Sequence, residues 1–196
     1  MSMFNPYNSF WVAEDGRVYG SAAQAITTDA DPDYLAFVEN GFLPLEWARE
    51  LDGSQTDAAM QAVLASYGMF LDLKYYTIDK RWRTEQGGTT STAGFPIRTD
   101  DRSQAKITGL FTASVEDPTV VTTYQASDQT LHEIDAAGIL QLHVDLLTYI
   151  NACFAVSANT LGQIDAGTIT TREQVDAMFG DVMTQANKNW LKVKNR

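Results

Sequence analysis

The stretch TDDRSQAKITGLF, residues 99–111, decides how the chain is read. Two acids stand at its front, with a run of good helix formers behind them. Asp100 or Asp101 can accept hydrogen bonds from the first-turn N–H groups that every helix leaves without partners. If Asp101 is the cap, Gln104 falls at the third helical position and completes a capping box with it. Both acids also sit at the positive end of the helix dipole. Ala105, Ile107, Leu110 and Phe111 are expected to supply the buried face. The stretch therefore reads as a helix start whose acids serve as cap and dipole partners. Removing such a cap costs on the order of 1 kcal/mol, sufficient reason for the acids to be there without chemistry.

Working outward, VVTTYQA and TLHEI around Ser127-Asp128 read as a short β pair. Asp135 caps the longest helix, expected over about residues 136–166. There Ile139, Leu142, Leu146, Ile150, Cys153 or Phe154, Ser157, Leu161 and Ile164 recur in steps of three and four, a helix-hairpin or coiled-coil-like seam. Gly167 stops it, and Thr170 or Thr171 opens a last helix. In the other direction, TTSTAGFPIRT reads as a hairpin about Ala93-Gly94, preceded by a helix over residues 69–85 that Gly87-Gly88 ends. LEWARELDGSQTDAAMQAVLASYG predicts two helical pieces broken at Asp52-Gly53, the second restarted by Ser54 or Thr56. DADPDYLAFVENG predicts a short helix with Asp31 as cap, Pro32 in its first turn and Gly41 as terminator, presenting Leu35, Phe37 and Val38. FWVAEDGRVYG alternates around Asp15-Gly16, a pair suited to a type I′ hairpin.

The fold class expected is α+β: a small N-terminal hairpin and short-helix module over residues 1–53, then a mainly helical domain of antiparallel helices with short hairpins over residues 54–196. A break near Gly68 is the other boundary the sequence allows. A chain of 196 residues buries roughly 70% of its unfolded surface, enough for a core without metal or disulfide. Cys153 is the only cysteine, so no intrachain disulfide forms. The N-terminus reads as lacking a secretory signal, and no uninterrupted apolar run reaches the roughly 20 residues of a membrane span. The net charge of −11 is uneven: Lys188, Lys192, Lys194 and Arg196 close the chain, leaving −15 on residues 1–185. Such a body is repelled by phosphate backbones, so nucleic acid is not expected as a partner; with no apolar run of spanning length, no membrane is expected either.

The stretch KRWRTEQGGTTSTAGFPIRTDDRSQAKITGLF, residues 80–111, resembles the hallmark of a domain family of unknown function in bacteriophage tail and tail-fibre-associated proteins. Its members show a helix ending in charged residues, Gly-Gly, a short hairpin, the SQAK-containing helix, an aromatic-containing β pair and a long helix. The resemblance covers roughly residues 69–185. It implies a tail protein of the virion, made in the host cytoplasm and binding other tail or tail-fibre proteins; a homo-oligomer would suit tail symmetry. A tail-fibre assembly chaperone absent from the finished particle is the alternative it leaves open. It carries over no catalytic or ligand residue.

The chemistry that the residues could support is thin. HEIDA, from His132, approaches the H-E-x-x-H zinc motif, but Ala136 stands where the second histidine belongs. His132 and His143 are the only histidines, and His143 reads as a packed helical residue. Cys153 lies on the long helix's seam and reads as core rather than as a nucleophile. Asp29, Asp31 and Asp33 have the spacing of a calcium-loop start, but Tyr34 replaces the glycine at the sixth position and Asn40 the glutamate at the twelfth. Asp100 and Asp101 are neighbours on one turn and cannot flank a glycosidic bond. No enzyme activity, metal or cofactor is expected. The feature that stands out for binding is the aromatic N-terminus. Phe4, Tyr7, Phe10 and Trp11 are candidates for an anchor into a partner subunit, and equally for a first strand and a flap over the core.

Overall fold

The computed structural model describes residues 5–183 of an α+β protein. The chain divides into two compact units, Met1–Tyr76 and Thr77–Arg196.

In the first unit, β1 (Phe10–Val12) and β2 (Arg17–Gly20) form the expected hairpin, with Trp11 opposite Tyr19. Its loop is not the two-residue type I′. Ala13 N donates to Arg17 O at 2.9 Å and Gly16 N to Ala13 O at 3.1 Å. Only Gly16 has a positive φ, +88°. A three-residue loop with one left-handed position suffices, and glycine takes it at no steric cost. β3 (Ala25–Thr28) pairs antiparallel with β2, and β4 (Leu45–Glu46) runs parallel to β1, giving the order β3-β2-β1-β4.

α1 (Pro32–Glu39) is capped by Asp31, whose carboxylate accepts from Asp33 N and Tyr34 N at 2.9 and 3.1 Å. These bonds, the Tyr34 one first, hold the Asp31 carboxyl below the usual carboxylate range. The helix ends in a Schellman motif: Phe42 N bonds Phe37 O, Gly41 N bonds Val38 O, and the Phe37 and Phe42 rings stack at 5.1 Å. Of the trio it was expected to present, Leu35 and Val38 are exposed, and Phe37 packs edge-on against Phe10 at 5.1 Å.

The segment after α1 departs from expectation. Residues 45–52 are not a helix: β4 is drawn into the sheet beside Trp11, and Arg49 bridges to Gln55 across the Asp52-Gly53 turn. Pairing with an available edge strand overrides the modest helix propensity of this stretch. α2 (Asp57–Ala65) does begin where expected, on the Thr56 cap. It sends Met60 and Leu64 into a core with Trp11, Tyr19, Trp47, Met69 and Leu71. That shared core is why the unit extends to Tyr76 rather than ending near residue 53. The Gln61 amide pins the strand-like passage onto α2, donating to Met69 O and accepting from Leu71 N. α3 (Leu73–Glu85) therefore starts four residues later than the periodicity predicts, with Asp72 accepting from Lys74 N and Tyr75 N.

The second unit takes α3 from Thr77 onward, then β5 (Thr89–Thr90) and β6 (Pro96–Ile97), α4 (Asp101–Glu116), the hairpin β7 (Val121–Gln125) and β8 (Leu131–Asp135), α5 (Ala136–Asp165) and α6 (Arg172–Phe179). Gly94 and Gln129, at φ +87° and +71°, close the two hairpins by the same three-residue pattern as Gly16. α5 is the axis on which α4 and α6 pack. Its Ile139, Leu142 and Leu146 meet Phe95, Ile97, Ile107 and Ile134 in the core. α6 carries a full capping box between Thr171 and Gln174.

Candidate functional site

Two of the four aromatic candidates of the N-terminus are core residues. Trp11 is 3% exposed and Phe10 7% exposed, so neither can anchor a partner without leaving the core. Tyr7 is exposed, its hydroxyl 3.4 Å from Tyr67 O. Phe4 lies outside the described residues, as does the basic tail from Lys188 to Arg196.

The cap at the head of α4 is Asp100, not Asp101. Its two carboxylate oxygens accept from Ser103 N at 3.0 Å and Ser103 Oγ at 2.9 Å. The backbone bond, with Ser103 Oγ and Arg98 helping, holds the Asp100 carboxyl below its ordinary range. Ser103 therefore occupies the third helical position, and the box between Asp101 and Gln104 does not form. Gln104 Nε2 instead donates to Thr99 O at 2.8 Å, while Asp101 accepts from Gln86 Nε2 at 2.9 Å. Ile107 is fully buried and Leu110 and Phe111 half-buried, but Ala105 faces water.

The titratable candidates are dispersed. His132 stacks on Phe95 at 4.1 Å, and its Nε2 lies 2.7 Å from Thr130 Oγ1. His143 stacks on Phe111 at 4.3 Å, with its Nδ1 buried and unpartnered. Cys153 is fully buried, and that burial pushes its thiol up to about 11, which keeps it protonated and unreactive at neutral pH. Among the described residues no three His, Cys, Asp or Glu side chains are grouped so as to hold a metal ion. Asp29 and Asp33 do not join Asp31, which is spent on the α1 cap.

Two surfaces of the second unit remain to be explained. The first is an open groove of about 750 Å3 between one flank of α4 and the β7–β8 hairpin. Arg102, Lys106 and Gly109 line one side, Tyr124 and Gln129 the other, and Arg98 stands at the end where Asp100 caps the helix. Burial raises the Tyr124 phenol, with the Arg98 and Asp100 charges acting on it in opposite directions. The basic residues escaped the sequence reading, which weighed only the acids of this stretch. A signal was present: Arg98, Arg102 and Lys106 recur every four residues, with no acid three or four places from Arg102 or Lys106.

The second surface is the outer face of α5. Leu140, Val144, Leu147 and Phe154 are 44–51% exposed and fall at helical steps of four, three and seven. At 100° per residue they lie opposite the buried row of Leu142, Leu146, Tyr149 and Cys153. α5 thus has exposed apolar residues opposite its buried row, with the exposed Asn151 between Leu147 and Phe154. By length and composition it is the one described helix long and apolar enough to cross a membrane. That composition is the sum of two stripes, the inner of which is already the core of its unit.

Residues 72–189 match the family model described as a domain of unknown function, DUF4376. The match spans more than half of the 196-residue chain, and the chain belongs to that family. It takes in all of the second unit's described elements, both surfaces included. No curated protein and no solved structure matches the chain.

Proposed function

We propose that the chain is a non-enzymatic bacteriophage tail protein, a tail-fibre or baseplate-associated subunit that works by binding other tail proteins through the outer face of α5. The resemblance of residues 80–111 to tail-associated proteins supplies the setting. The observation that carries the binding role is the second apolar stripe of α5. Apolar side chains left in water on a helix whose other side is already core favour a covering partner. Leu140, Val144, Leu147 and Phe154 each stand about half in water. Covering the exposed half of such a side chain gains roughly 1 kcal/mol, so four together favour association by a few kcal/mol before its entropic cost.

The test uses an epitope-tagged chain expressed from the genome that encodes it, followed by protein analysis of purified particles. The tagged chain is expected in the particles, and Val144→Lys with Leu147→Lys is expected to exclude it from them while its melting temperature stays near that of the parent. Absence of the parent chain from particles, with co-purification of immature fibre, would give the assembly-chaperone reading instead. Recovery of the chain in the membrane fraction would also overturn the proposal.

A further inference from the structure

We infer that the groove between α4 and the β7–β8 hairpin is a binding site for a small organic anion carrying at least two acidic groups, carboxylate or phosphate. The first observation is electrostatic. Among the described residues, Arg17, Arg49, Lys80, Arg81 and Arg83 each pair with a carboxylate, and Lys74 and Arg172 also have polar or charged partners. The side chains of Arg98, Arg102 and Lys106 have neither an ion pair nor a hydrogen bond, and all three line this one groove. The single acid lining the groove, Asp100, is hydrogen-bonded by Ser103 and makes no ion pair, though the Arg98 charge acts on it. In a chain of net charge −11, three neighbouring cations without an ion pair make a local positive field that favours an anion.

A second observation is independent of charge. Gly109 lies in the middle of α4, and a Cβ added there would meet nothing within 4 Å. No packing constraint calls for glycine, yet glycine in a helix interior forfeits stability relative to alanine. Gln129, across the groove, holds a left-handed φ of +71°, as Gln24 does at +48° in the β2–β3 loop, whereas the two other three-residue loops place glycine there. Gly109 and Gln129 both line the same cavity. Gly109 keeps the floor clear, and Gln129 adds an amide to the wall.

The ligand's class follows from the dimensions and the field. A groove of about 750 Å3 lies in the range of small-molecule sites. Arg102 and Lys106 stand one helical turn apart along one flank and Arg98 at its end, which suits separated acidic groups. Tyr124 and Leu110 give apolar surface for the body of the molecule. A long polyanion would have to overcome the acidic remainder of the chain, so nucleic acid is disfavoured. The inference stands whether or not the chain is a tail protein.

Calorimetric titration of the full chain at low ionic strength with citrate and with inorganic pyrophosphate tests it, the two probes separating carboxylate from phosphate preference. Saturable one-site binding is expected for at least one probe. Arg102→Gln with Lys106→Gln is expected to weaken it about tenfold or more. Gly109→Leu, which fills the floor, is expected to abolish it while melting no lower than the parent. Arg83→Gln, which removes a cation of α3 already paired with Asp79, should bind as the parent does. Absence of saturable binding for both probes, or binding indifferent to the groove variants, would overturn the inference. Tighter binding of a poly-glutamate peptide or a single-stranded oligonucleotide than of either small probe would overturn it as well.

Discussion

α3 and α4 both carry several cations, and they treat them in opposite ways. On α3, Arg83 reaches Asp79 at 2.7 Å and Arg81 reaches Glu85, both one turn apart. Lys80 crosses to Asp176 on α6 at 2.7 Å. On α4, the residue one turn from Arg102 is another cation, Lys106. α3 fully buries only Thr77 and Glu85, so from Thr77 onward it is held chiefly by polar ties. The Tyr149 hydroxyl donates to Thr84 O at 2.7 Å, Thr99 Oγ1 donates to Glu85 O, and the Arg81 guanidinium lies 4.4 Å over the Phe154 ring. α4 is fastened by Ile107 in the core and so can leave its charged flank open. Charges that position a helix are satisfied within the protein; charges left over are available to something else.

That contrast can be broken at its strongest points first. Ile107 is the residue of α4 that is both apolar and fully buried, and Ile107→Ala is expected to cost about 2–4 kcal/mol in denaturant unfolding, through lost burial and the cavity left behind. A loss below 1 kcal/mol would mean that α4 does not depend on its apolar contact. Next comes Arg81→Ala, which strips the cation from Glu85, whose side chain is 12% exposed. The expected cost is about 2–3 kcal/mol, because a nearly buried carboxylate is left uncompensated. Replacing both partners by Met should recover most of that loss, since a matched apolar pair avoids desolvating two charges. If the double variant is as unstable as the single, the tie is not electrostatic.

Asp100→Ala is a smaller change, about 1 kcal/mol, measured as a shift in the unfolding midpoint. Its pH dependence has a definite sign. The folded protein holds the Asp100 carboxyl below its ordinary value, chiefly through the Ser103 N–H. The cap's contribution is therefore complete at neutral pH and is lost as pH falls below about 4 through the folded-state value. The difference in stability between parent and Asp100→Ala should shrink over that acid range. A difference that stays constant would show that the carboxylate's charge plays no part.

How much of this was readable in advance depends on the range of the forces involved. Caps act within one turn, and Asp31, Thr56, Asp135 and Thr171 all cap where the sequence placed them or among the alternatives it left. The seam of α5 is periodic over thirty residues, and Ala136–Asp165 matches its expected bounds to within a residue. Residues 45–52 were misread because their strand exists only through β1, which no local pattern announces. The early start given to α3 has the same origin: Phe70, Leu73 and Tyr76 recur at helical spacing, but Met69 and Leu71 beside them are spent on the first unit's core. At the head of α4 the acids were understood and the cations passed over. A cap is recognised from its own neighbours, whereas a groove needs β7 folded against the helix.

The smallest effect separates the open flank of α4 from an ordinary solvated helix face. Lys106→Glu removes a like-charge pair one turn apart and lets Arg102 meet a carboxylate at that spacing. Each such change is worth about 0.2–0.5 kcal/mol on a helix, so the variant should be more stable by about 0.5 kcal/mol, readable as a small rise in melting temperature at low salt that fades at high salt. On a face with no function, that is the whole consequence. If the groove holds an anion, the same substitution must weaken citrate or pyrophosphate binding even as it strengthens the fold, because the ligand would then meet the new carboxylate. Stability and binding moving in opposite directions would show that the unmatched cations are kept at the fold's expense. A gain in stability with no change in binding would return Arg102 and Lys106 to the solvent.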